Sequence, residues 1–262
     1  MKTLIFYYTG TGNSLWVARE LGKKISSSKL YSMSKKMDDA IFKDVDAIGL
    51  IFPVHIWGIP HAVMDFLEKM PRESVKKVFA IAVNAGQVSR TLIQLEEVLI
   101  KKEIELSWGF SIKMPSNYIP WGGPCSKEKQ AILFSDAKKK INEISKVILE
   151  GKKIRVEKGP WWQRVFFTLI YKMSYKYVPK MDKSFFADDK CNACRICEKI
   201  CPVYNIIIEK TPKWNNRCEQ CFACLQWCPK QAIQYGERTV RFERYHHPDV
   251  VLSDMLIPNT KT

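Results

Sequence analysis

Eight of the nine cysteines in this 262-residue chain lie between Cys191 and Cys228, in two runs of identical spacing. Cys191-x-x-Cys194-x-x-Cys197-x-x-x-Cys201-Pro202 is repeated as Cys218-x-x-Cys221-x-x-Cys224-x-x-x-Cys228-Pro229. A tight loop of this kind offers three thiolates to one iron–sulfur cube. The fourth ligand must come from a distant segment, because one short loop cannot enclose all four irons. In this spacing the last cysteine of each run serves the other cluster. The expected ligand sets are therefore Cys191, Cys194, Cys197 and Cys228 for one [4Fe–4S] cluster, and Cys218, Cys221, Cys224 and Cys201 for a second. Crossed ligation of this kind brings the two clusters close enough for one-electron hopping. Pro202 and Pro229 stop helical continuation after the crossing ligand, and Ala193, Ile196, Ala223 and Leu225 are small or apolar fillers that keep water off the sulfides. The rival reading is a pair of zinc sites, since CxxC pairs also bind zinc. Two runs of four with a terminal proline are the more specific pattern. Cys125, alone in Pro124-Cys125-Ser126, is expected to be a buried or incidental thiol without a role.

So many thiols outside disulfides point to a reducing compartment and to metal. No apolar run approaches bilayer length, and 165–171 stops far short of it. The first eight residues run straight into a strand pattern without a signal-peptide core, so the expected location is the cytoplasm. The formal charge of +15 is unevenly spread. Residues 1–150 hold 22 Lys/Arg against 16 Asp/Glu, residues 151–186 hold 9 against 2, and residues 187–262 hold 11 against 9.

The N-terminal part alternates strand and helix patterns, which predicts a parallel sheet covered on both faces. Strands are expected at 3–8, 30–33, 47–52, 78–83 and 104–114, the last interrupted at Trp108-Gly109. Helices are expected at 13–25, 61–69, 89–101 and 126–149. The predicted organisation is an α/β domain over 1–150, a basic aromatic connector over 151–186, a small α+β domain over 187–237 and a tail over 238–262. The five strands fit a doubly wound parallel sheet of flavodoxin type. The only internal repeat is the pair of cysteine runs, each followed by a short apolar stretch at 205–208 and 231–234.

Directly after the first strand stands Thr9-Gly10-Thr11-Gly12-Asn13-Ser14, leading into a helix. The glycines allow a tight turn whose N–H groups converge on an anion, and the helix start and the hydroxyls of Thr9, Thr11 and Ser14 add to it. This is a phosphate site without Lys or Arg, suited to a monophosphate ester. A dinucleotide fingerprint would need glycine where Leu15 stands, and no Gly-Lys-Ser/Thr is present for a Walker loop. The alternative is a glycine-rich strand-to-helix turn that only caps the helix.

Thr9-x-Thr11-Gly12-x-Ser14 after a first strand resembles the FMN-phosphate signature of flavodoxins. Combined with two ferredoxin-type cysteine runs, it resembles the flavodoxin–ferredoxin fusion proteins found chiefly in anaerobic microbes. The likeness covers residues 1 to about 120 and 187 to about 235. It implies that Pro53, Val54, His55 and Trp57 belong to the first flavin-flanking loop, with Trp57 stacking on the isoalloxazine and His55 nearby. Asn84, Ala85 and Gly86, followed by Gln87, would form the second loop, its N–H groups meeting the pyrimidine edge, and 115–118 would close that edge. Ordinary flavodoxins are acidic; this mildly basic domain points to an acidic docking partner.

The implied function is electron transfer between FMN and two [4Fe–4S] clusters and on to redox partner proteins. The alternative is a reductase of a quinone or another small oxidant, with a pocket lined by Trp57, Tyr118 and Trp121. A third class is a cluster-bearing regulator with no flavin. No nicotinamide-binding domain and no nucleic-acid module is recognisable. Apolar residues recur at helical spacing over 161–177. That helix is expected to pack the two domains together, with an interfacial membrane helix, Lys172 and Lys176 near the headgroups, as the alternative. The tail segment 244–248, with His246 and His247, resembles one that follows the clusters in the fusion family and is expected to pack back across the domains rather than bind metal.

Overall fold

The computed structural model describes residues 1–35, 38–71 and 77–256. Five strands, β1 (Thr3–Tyr7), β2 (Ser28–Ser32), β3 (Ala47–Pro53), β4 (Lys77–Asn84) and β5 (Leu106–Lys113), form one parallel sheet in the order β2-β1-β3-β4-β5. That is the flavodoxin-like doubly wound order, and its reversal between β1 and β3 opens a crevice beyond the carboxyl ends of the strands. The central strands are continuous apolar runs because both faces are covered. Ile48, Leu50, Ile51 and Phe52 of β3 are all fully buried.

Helices α1 (Asn13–Gly22) and α4 (Lys127–Glu150) cover one face; α2 (His61–Lys69) and α3 (Thr91–Ile100) cover the other. In α4 the residues Ala137, Ile141, Ile144 and Ile148 recur at helical spacing and carry its buried stripe. The helix starts at Ser126, whose hydroxyl accepts from Lys129 N–H, and stops at Gly151 in the left-handed region. The interruption expected at Trp108-Gly109 does not occur. β5 runs through it, with one register shift against β4 at Val78/Phe79, and Trp108 donates to the Lys152 carbonyl at 2.7 Å. No helix among the described residues is long and apolar enough to cross a membrane.

Helix α5 (Trp161–Ser174) leads through a 3-10 stretch, Tyr175–Ser184, into β6 (Phe185–Ala187). Then follow α6 (Ile196–Ile200), β7 (Ile206–Ile208), β8 (Pro212–Trp214), α7 (Ala223–Gln226) and β9 (Ile233–Tyr235). β6 pairs antiparallel with β9, and β7 with β8. The repeat is therefore longer than the cysteine runs. Phe185 to Pro212, Cys191 to Cys218, and Ile206 to Ile233 are each a step of 27 residues. Each unit is strand, cysteine loop, short helix, strand, and each lends one strand to the other. β6 straddles the boundary expected at residue 187, and Phe185 stacks on Trp214 at 5.4 Å.

Helix α5 does not fill an interface on both sides. One face meets the N-terminal part: Tyr171 donates to the Ile59 carbonyl at 2.9 Å, and Phe167 lies flat on Trp57 at 4.3 Å. The opposite face is exposed.

The segment 244–256, ending in α8 (Leu252–Met255), packs back on α1. His247 N–H donates to the Thr11 carbonyl at 2.9 Å, Tyr245 donates to Asn13 Oδ1 at 2.7 Å, and Trp16 donates to Asp249 at 3.1 Å. Arg19 grips both carboxylate oxygens of Asp254. His247 is fully buried, stacked on Trp16 at 4.7 Å. Burial pulls its imidazole down to about 4, so it is held neutral. Such a depressed group contributes stability that is complete above its usual 6.5 and is lost as the pH falls toward 4. Acidification from about pH 7 to about pH 5 is therefore expected to loosen the tail from α1, by on the order of 1–2 kcal/mol. His247→Gln should flatten that dependence. Amide hydrogen exchange along α1 in both proteins checks it; parallel profiles would exclude His247 as the cause.

Candidate functional site

Beyond the carboxyl ends of β1, β3 and β4 lies a cavity of about 420 Å³. Of the residues expected from the sequence, Thr9, Gly10, Thr11, Asn13, Ser14, Pro53, Val54, His55, Trp57, Asn84 and Ala85 line it. Gly12 and Gly86 do not; they shape the loops from behind. Ile56, Val83, Gln87, 114–118, Trp121, Ile170, Ser174, Met181 and Gln220 complete the wall.

The first loop is fixed by its neighbours. Gly12, at φ +93°, precedes α1, and its N–H donates to Thr9 Oγ1 at 3.1 Å. Asn13 donates to the Pro115 carbonyl at 3.0 Å and accepts from Tyr245, tying the loop to the β5 exit and to the tail. A Cβ on Gly10 would stand 2.4 Å from the carbonyl oxygen of Cys221, and Trp227 donates to the Gly10 carbonyl at 3.1 Å. Glycine at position 10 is thus demanded by the second cysteine loop pressed against it.

After β3, His55 and Gly58 exchange backbone hydrogen bonds at 3.1 and 2.9 Å around Ile56 and Trp57, both at positive φ. A two-residue turn of this hand normally carries Asn or Gly. Here a β-branched residue is held in the left-handed region, a strained state that turns Trp57 toward the cavity. Phe167 stacks on one side of the indole, and Nε1 donates to Gln87 at 2.6 Å. After β4, Asn84 donates to Ser111 Oγ at 2.8 Å and accepts from Gly86 N–H at 2.8 Å. That Gly86 N–H is spent on Asn84 and does not face the cavity.

Three lining residues each leave one buried polar atom without a partner: Ser14 Oγ, His55 Nδ1 and Gln220 Oε1. Buried polar atoms are nearly always satisfied, so this wall fits a ligand with several hydrogen-bonding groups. The other nitrogen of His55 reaches the Glu219 carbonyl, and burial lowers the imidazole to about 4, leaving it neutral.

The eight cysteines separate into two groups. Cys191, Cys194, Cys197 and Cys228 line one void of about 20 Å³. Cys201, Cys218, Cys221 and Cys224 line another of the same size. In the first group Cys194 is exposed and Cys191 and Cys228 are half-buried; all four of the second are buried. The loops repeat in backbone detail. Ala193 and Gln220 have φ of 53° and 53°, Arg195 and Phe222 63° and 57°, Tyr204 and Gln231 52° and 49°. Left-handed residues at these matched positions turn the two loops alike, and none of the six is glycine, which is why no glycine in the sequence marked them. Backbone N–H groups of Asn205, Gln220 and Ala232 donate to the sulfurs of Cys201, Cys218 and Cys228 at 3.2, 3.3 and 3.3 Å.

Burial pushes the thiols of Cys197 and Cys218 up to about 12, and those of Cys221 and Cys224 well above the usual range. As thiolates they need a compensating cation. Among the described residues no three His, Cys, Asp or Glu side chains are arranged to hold a metal ion.

The inner group adjoins the cavity. Gln220 lines the cavity while its N–H holds Cys218 Sγ, and Asn117 donates to the Cys221 carbonyl at 3.3 Å. Glu219 Oε1 accepts from Ala62 N–H at the start of α2 at 3.1 Å, and burial raises this carboxyl to about 8. Cys125 is half-buried and stands apart from both groups.

No family model matches the chain. Over 52 residues it is 36% identical to an uncharacterised protein of Methanocaldococcus jannaschii, a match that covers 20% of each chain. The chain thus spans about a fifth of the length of that curated relative. Among solved structures, a flavodoxin from the domain Archaea is 14% identical at a TM-score of 0.41, covering 56% of this chain and 97% of its own. A flavoprotein in complex with FMN from Lactobacillus acidophilus is 17% identical at 0.35, covering 42% and 91%. Rubredoxin oxygen:oxidoreductase from Desulfovibrio gigas is 18% identical at 0.38, covering 56% and 36%.

Proposed function

We propose that the chain is an electron carrier that holds FMN in the cavity and one [4Fe–4S] cluster in each cysteine group. The observation that carries the reading is the partition of eight cysteines into two crossed sets around separate voids, the inner set sharing Gly10 and Gln220 with the cavity. Zinc is the rival ligand, but two runs of four cysteines with the fourth of each run falling in the other set is the pattern of paired iron–sulfur clusters rather than of zinc. The N–H donors on Cys201, Cys218 and Cys228 suit bound clusters, whose potentials such bonds help set.

In the cavity, Thr9, Thr11 and Ser14 and the start of α1 are the residues that would hold a phosphate monoester. The loop turned at Ile56-Trp57, with Asn84 and Ala85, would flank the ring system. A volume of about 420 Å³ is within the usual range for such a ligand. FMN exchanges one or two electrons, and each cluster exchanges one. The chain's own part is to hold these groups, to exclude water and to keep His55 neutral. Ile170 and Ser174 of α5 wall one side of the cavity. The outer set, with Cys194 exposed and Lys190, Lys199 and Lys230 on nearby surface, is the face for an acidic redox partner.

Anaerobically purified protein is expected to contain about eight iron and eight labile sulfide per chain with about one FMN. Zinc in their stead, or no flavin uptake after reconstitution, would sink the reading. Cys194→Ser should remove roughly half of the iron and leave flavin binding intact. Gly10→Ala should instead weaken flavin binding by roughly tenfold or more and also lower the iron content, because its Cβ collides with Cys221. Flavin fluorescence titration and iron counts on both variants separate these outcomes.

A further inference from the structure

The outward face of α5 carries Trp161, Trp162, Val165, Phe166, Leu169 and Met173, each between 49 and 71% exposed. The following turn adds Tyr177, with Lys176 Nζ 5.0 Å over its ring. Single exposed apolar residues need no explanation; six on one helical face mark a contact surface. The charge of the segment that carries them is one-sided. Residues 151–186 hold nine Lys/Arg and two Asp/Glu, and both acids already have partners. Glu157 accepts from Lys140 at 2.6 Å and from Ser111 N–H at 2.8 Å. Asp182 is buried and accepts from Asn205 and Asn216. Lys172, Lys176, Lys180 and Lys183 are exposed.

We propose that this face docks on an anionic phospholipid membrane, α5 lying in the plane of the headgroups. Bulky aromatic and aliphatic side chains on one face flanked by lysines are what such a surface binds, the rings entering the acyl boundary and the ammonium groups meeting lipid phosphates. The 14-residue helix is about 21 Å long, enough to lie on a bilayer and too short to cross it. A second copy of the chain is the poorer occupant, since it brings a segment of the same net +7 against this one. The inference stands on this surface and holds whatever the cavity and the cysteines bind.

The test is co-sedimentation of the full chain with vesicles of phosphatidylcholine, alone or mixed with phosphatidylglycerol. The chain should sediment with the mixed vesicles, and less of it as salt is raised. Leu169→Glu with Met173→Glu should weaken that binding by roughly tenfold or more, and Lys172→Glu with Lys176→Glu by several-fold. Unchanged far-ultraviolet circular dichroism and iron content show that the variants are folded. Failure to bind either vesicle overturns the proposal. So does a concentration-dependent dimer that Leu169→Glu abolishes without lipid, or binding that ignores both phosphatidylglycerol and the lysine changes. Loss of flavin uptake with vesicle binding intact would instead count against the carrier function alone.

Discussion

The contact between the Gly10 backbone and the Cys221 loop is the interaction around which the molecule is organised. Two stretches separated by more than 200 residues meet where one has no side chain, and Trp227 clamps them from the flank. The seam has further ties. Glu219 closes on the first turn of α2, and His55 leans on the Glu219 carbonyl. Asn117 and Gln226 stitch the loop after β5 to the second cysteine run. Buried polar ties of this kind fix a unique geometry, because each leaves an expensive unpaired group if it slips. The electron exchange proposed for the chain would need such a fixed geometry more than an acid or a base.

Much of this was legible in the sequence because the signals were local and periodic. Strands buried on both faces read as continuous apolar runs, and the cysteine spacing and the Thr9 to Ser14 loop are contiguous motifs. What escaped was set by distant neighbours. β6 and β8 are three residues long, and their aromatic residues resemble any connector until Phe185 meets Trp214. Ile56 in a left-handed turn contradicts its own propensity and is held only by the surroundings. Trp108-Gly109 looked like a break because glycine weakens a strand, yet Val156 fills the space over Gly109 and the strand continues. The periodicity of α5 was plain, but periodicity cannot say which of two apolar faces finds protein and which stays uncovered.

The duplicated unit gives asymmetric surroundings to two nearly identical loops. The same sequence of left-handed turns recurs at a 27-residue step, but one copy holds an exposed cysteine and the other is buried against the Gly10 loop. Differences in burial and in N–H donation to sulfur are the levers by which a protein separates the properties of two chemically equal groups. Here the levers follow from position: Gln220, a lining residue of the cavity, stands where the outer loop has only Ala193.

The return of 244–256 to α1 has a bearing on biogenesis. The strands are complete by residue 113 and α4, which covers one face of the sheet, by residue 150, so this part can assemble while the rest of the chain is still being translated. The backing of its first loop cannot. Val250 and His247 press on Gly12, and Tyr245 on Asn13, only once those residues have left the ribosome. During synthesis a formed sheet therefore carries a half-supported loop until 244–256, a segment more than 200 residues later in sequence, bolts the earliest helix in position.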